Sequence, residues 1–93
     1  MTKLEEKLVE LGYECGYEEW DEEKEYLFAS KYGINKCCTI NITYRNGKLF
    51  DSNLHRGFLF SQQDIDNAQM AFNQLQKDLE VLKEYEWLAS RII

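Results

Sequence analysis

The chain has 93 residues, of which 44% are hydrophobic, 14% aromatic and 30% charged, and its formal net charge is −6. That length leaves no room for a second domain, and that composition excludes a disordered chain. The acidic balance disfavours direct binding to nucleic acid or to an anionic membrane, whose phosphates it would repel.

The opening MTKLEEKLVE is a charged helix pattern and not a signal peptide. Thr2 precedes it as N-cap, with Glu5 three residues on as its capping-box partner. Leu4, Leu8 and Leu11 share one face, and Gly12 suits the left-handed stop, so a helix is expected over residues 3–11. No apolar run approaches the ~20 residues that span a bilayer, and a cytoplasmic protein is expected.

The stretch ECGYEEWDEEKE, residues 14–25, carries seven acids and one base. The rest of the chain is neutral, so the whole net charge sits here. Its length and charge predict a loop.

Strands are expected over residues 25–32, 37–44 and 48–54. In the first, Tyr26, Phe28 and Tyr32 oppose Leu27 and Ala29, and the pattern leaves open which side is buried. A turn falls near Gly33. In the second strand Cys38, Ile40, Ile42 and Tyr44 alternate with Thr39, Asn41 and Thr43, which marks one buried face. Asn46-Gly47 signals a hairpin. A two-residue turn would pair Ile42 with Asp51, setting a carboxylate on the apolar face. A three-residue loop, Arg45 to Gly47, pairs Ile42 with Phe50 and Cys38 with Leu54, and is preferred. The outer face would then hold Thr39, Asn41, Thr43, Leu49 and Asp51.

Ser61 caps a last helix whose first turns carry Asp64 and Asp66. Ile65, Ala68, Phe72, Leu75, Leu79 and Leu82 follow at steps of three and four. From 65 to 82 this stripe spans about 26 Å, the right length to cover the sheet. Glu86 breaks the stripe, and the tail beyond Tyr85 mixes Trp87, Leu88 and Ile92 with charges. The expected fold is α+β: a three-stranded antiparallel sheet, α-β-β-β-α, covered on one face by a long C-terminal helix and a short N-terminal helix.

No catalytic motif is present. His55, the one histidine, has no nucleophile or orienting acid near it in sequence. Cys15, Cys37 and Cys38 form no CxxC pair and suggest neither zinc nor a disulfide framework. Counted from Asp21 as a calcium loop, the sixth position is Tyr26 and the twelfth Tyr32, where glycine and glutamate are required. No enzyme activity, metal or cofactor is expected.

The concentrated charge instead suggests a surface that meets a basic partner. Tyr17, Glu18, Glu19, Trp20, Asp21, Glu22, Glu23, Glu25 and Tyr26 are the candidate binding residues, with Tyr17 and Trp20 as anchors, because acids mixed with aromatics suit the face of a cationic groove. The alternative is a small homodimeric accessory protein that associates through its C-terminal helix, with Trp87, Leu88 and Ile92 as contact candidates.

The closing stretch FSQQDIDNAQMAFNQLQKDLEVLKEYE resembles the ends of many short accessory proteins from phages and mobile elements of low-GC Gram-positive bacteria. The lack of proline and the wealth of Asn, Lys, Tyr and Ile are similar too. In size and charge the chain resembles small acidic anti-CRISPR proteins. That resemblance implies inhibition without chemistry, by blocking a nuclease's nucleic-acid or target-recognition surface. It assigns no residue, since no motif of one anti-CRISPR family is present.

Overall fold

A computed structural model describes residues 2–21, 24–56 and 61–86, and for Trp20, Asp21 and Arg56 the backbone alone. Helix α1, Lys3–Glu10, is capped as its sequence requires: the Thr2 hydroxyl accepts from the Glu5 amide at 3.2 Å. Gly12 ends it at φ 98°, a conformation costly to any residue with a Cβ. Leu4 and Leu8 are fully buried.

The sheet has four antiparallel strands where three are expected. They are β1 (Glu14–Asp21), β2 (Lys24–Tyr32), β3 (Cys38–Arg45) and β4 (Lys48–Arg56), in that spatial order. The acidic stretch is therefore no loop. Its described residues form the edge strand β1 and the start of β2. Cys15 and Tyr17 stand opposite Ala29 and Leu27, so alternate β1 residues follow the buried side of β2. Pairing and a half-buried inner face override the weak strand propensity of Glu and Asp.

β2 turns Leu27 and Ala29 to the core and leaves Phe28 and Tyr32 exposed. A single 3-10 turn, Ile34–Lys36, links it to β3. The link presses against the last helix: a Cβ on Gly33 would fall 2.8 Å from Cys38 Sγ and 2.9 Å from Ala71 Cβ. Cys37 lies in this link and outside β3, and no disulfide joins any of the three cysteines. In β3 the alternation is as expected, with Cys38, Ile40, Ile42 and Tyr44 buried.

The hairpin register differs from the expected three-residue loop. Arg45 pairs with Lys48 across a two-residue turn in which Asn46 and Gly47 both have positive φ. That backbone matches the twist of the strands, which is why Asn-Gly is favoured there. A bulge follows: Tyr44 pairs with Leu49, then Thr43 with Asp51. Ile42 thus faces Ser52 in place of Phe50, and Cys38 faces Arg56 in place of Leu54. The bulge solves the difficulty of the short turn, because the extra residue moves Asp51 off the apolar face. It also moves Leu49 to the Tyr44 side, away from the outer face.

Helix α2, Gln62–Leu82, has a full Ser61–Asp64 capping box. It lies with α1 on one side of the sheet. Ala68, Ala71, Leu75 and Leu82 are buried, and Leu79 is partly so. Ile65 and Phe72, expected in the core, are 48% and 46% exposed. The small residues Ala68 and Ala71 let the helix sit close over β3, β4 and the link at Gly33, and Ile65 and Phe72 line the groove between the helix and β4. A short 3-10 turn, Lys83–Tyr85, follows, and the Glu86 carboxylate accepts from the Leu49 amide at 3.1 Å.

Candidate acidic and aromatic surface

β1 divides the predicted binding residues between two faces. Glu18 pairs with Tyr26, while Tyr17 pairs with Leu27 and Glu19 with Glu25. Side chains directly opposite share a face. Glu18 and Tyr26 therefore belong to the open face, which no described helix covers. Tyr17, Glu19 and Glu25 belong to the rim of the helix-covered face. Tyr17 bonds to Glu25, and burial first, then this bond, pushes its phenol above the ordinary value. Tyr17 lies on the rim, and the backbone of Trp20 falls at the register shift between Glu19 and Asp21. Asp21 pairs through its backbone with Lys24. Glu22 and Glu23, like Trp87, Leu88 and Ile92, lie outside the described residues.

The open face adds residues that composition alone did not single out. Tyr26 stacks on Phe28 with ring centres 6.0 Å apart, and Phe50 meets Tyr26 edge-on at 5.8 Å. Arg45 lies over Phe50 at 5.9 Å. Phe28 and Phe50 remain 38% and 57% exposed. Beside Phe28, Gly16 leaves a shallow depression of about 310 Å³, with Glu14 at its border. An added Cβ at Gly16 would meet nothing within 4 Å. Exposed rings are therefore flanked by the carboxylates of Glu14 and Glu18. Strand alternation put Tyr26 and Phe28 together from the start, but whether they faced water depended on α2 choosing the Leu27 side.

Behind β1 lies a polar cluster that the sequence reading missed. Asp78 is 2% exposed. Its carboxylate accepts from Tyr13 Oη at 2.8 Å and Gln74 Nε2 at 2.8 Å, and it pairs with Lys31 Nζ at 2.7 Å. Lys31 also donates to the Leu11 carbonyl at 2.9 Å and lies 4.3 Å from the Tyr13 ring centre. Both Asp78 oxygens, the Tyr13 hydroxyl and Lys31 Nζ each have a partner, as a buried charge requires. Burial first, and then the Asp78 bond, pushes the Tyr13 phenol well above its ordinary value. Tyr13 is thus a core residue, although it borders the acids in sequence. Its signal was present: Asp78 occupies a slot in the stripe Ala71, Leu75, Leu82, and Lys31 has the parity of Leu27 and Ala29.

His55 is exposed on β4 opposite Thr39 and is not in a loop. Among the described residues no group of three His, Cys, Asp or Glu is placed to hold a metal. No described helix is long and apolar enough to cross a membrane. No known protein family, curated protein or solved structure gives a significant match to this chain.

Proposed function

We propose that this chain is a non-catalytic protein-binding module that sets an acidic strand edge and an aromatic patch against a basic surface of its partner. The observation that carries this reading is the pairing of Glu18 with Tyr26 beside exposed Phe28 and Phe50 on a face that no described helix covers. An arginine guanidinium can stack on such rings while it pairs with a carboxylate, and the two contacts reinforce each other. Acids on a strand also hold a fixed spacing. Glu14 and Glu18, four residues apart on the open face, stand about 13 Å from each other at a rise of ~3.3 Å per residue. The finer form of the proposal is an inhibitor of the phage, anti-CRISPR-like kind. It mimics DNA and occupies the nucleic-acid-binding surface of a nuclease or related protein.

The test is a titration of the full chain with an arginine-rich peptide, followed by backbone NMR shifts. Shifts centred on Glu14, Gly16, Glu18, Tyr26 and Phe28 are expected, and they should fade as salt rises. Shifts confined to the helices would overturn the assignment.

A further inference from the structure

We propose that the outer edge of β4 and the adjoining flank of α2 seat a second copy of this chain, with the two β4 strands paired antiparallel about a two-fold axis. This surface is separate from the acidic one.

β4 is an edge strand, and a groove of about 500 Å³ runs between it and α2. Its lining includes Leu54, Ile65, Phe72 and Leu75, with Gln69 and Gln76, and among the described residues none that lines it is charged. In a chain with 30% charged residues, an uncharged groove beside an open strand edge marks a surface suited to burial.

Side-chain complementarity selects the occupant. Strand residues beyond the bulge, 51–55, are free of register shifts. Paired about Asn53, they set Asp51 against the partner's His55 on the outer face, and the partner's Asp51 against His55. Both are exposed and share that face, because Asp51 pairs with Thr43 and His55 with Thr39. On the helix side, Ile65 and Phe72 of the two copies then approach across the axis. Such an interface is self-complementary and closes at two copies. β1 offers no equivalent. A β1 pair would bring Glu14, Glu18 and Glu19 of two copies to within a strand spacing of about 4.8 Å, where like charges repel.

The test is light scattering on the full chain over a concentration series, with circular dichroism to verify folding. Wild type is expected at twice 11.1 kDa. Phe72→Glu adds a charge at a half-exposed site, so it should fold and dissociate by about a hundredfold in Kd. Asp51→Lys should weaken the dimer about tenfold, and adding His55→Asp should restore it. Four outcomes would overturn the proposal. The first is a wild-type monomer at roughly 1 mM. The second is a dimer indifferent to both single changes. The third is growth beyond two copies, which signals head-to-tail β1–β4 contact. The fourth is a monomer that dimerises only when Trp87 and Leu88 are made serine, which would assign the groove to the chain's own tail.

Discussion

The two edges of the sheet meet the same physical hazard in opposite ways. An edge strand exposes unpaired amides and carbonyls, which invite another strand. β1 carries Glu14, Glu18, Glu19 and Asp21 in eight residues, and a bulge interrupts it before Asp21. β4 carries Ser52, Asn53 and Leu54 at its centre and borders exposed Ile65 and Phe72. Charge makes the first edge repel its own copy and attract cations. The second edge carries Lys48, Asp51 and Arg56, a mixed set without a single-sign excess like that of β1, and is open to a shape-matched neighbour. One small sheet can therefore offer two surfaces with different salt dependence.

The edges are also anchored differently, and this gives ways to disturb one at a time. β1 enters the sheet directly after Tyr13, which Asp78 and Lys31 tie to α2. Lys31→Met would leave Asp78 buried without its cation, and a loss of about 3–5 kcal/mol is expected in urea unfolding. Hydrogen exchange should show β1 losing protection before β4. Equal loss at both edges would contradict the separate anchoring.

Alkali acts on both edges. Tyr13 precedes β1 and Tyr44 underlies β4 at Leu49, and burial pushes each phenol above the ordinary value of 10.0. A raised folded value means that their stabilisation is complete below pH 10 and falls as pH rises beyond it. Between pH 9 and 11 the two together should cost about 3 kcal/mol, and Tyr13→Phe should remove about half of that slope. A denaturation midpoint that does not move over this window would refute the assignment.

Gly33→Ala presses on the middle of the molecule, since its Cβ would meet Cys38 and Ala71 below 3 Å. About 2 kcal/mol of destabilisation is expected, with neither edge favoured in hydrogen exchange. Gly47→Ala is the mildest change. It strains the left-handed turn that sets the β4 register, and should cost about 1 kcal/mol in thermal unfolding, with protection lost first in β4.

Caps and buried alternation were legible in the residues. Thr2, Gly12 and Ser61 act where their chemistry places them, and β3 buries Cys38, Ile40, Ile42 and Tyr44 as its period demands. β1 was hidden because local propensity argued against it, and only its pairing with β2 makes it a strand. The β4 register was hidden because a bulge has no period to read. The exposure of Ile65 and Phe72 followed from helix placement, which Ala68 and Ala71 decide by their size. For the site, the acids were legible as a group, but their division between two faces needed the β1–β2 register. The aromatic patch needed both that register and the side α2 covers.

The most direct measurement of the central claim is a paired capture from host extract at low and high salt. One bait is the wild-type chain. The other has Glu18, Glu19, Asp21, Glu22 and Glu23 changed to their amides. The account predicts a basic, nucleic-acid-binding protein held by wild type alone, at low salt alone, and released by added duplex DNA. The same partner recovered by both baits, or unmoved by DNA, would contradict it and leave those acids as no more than a solvated edge.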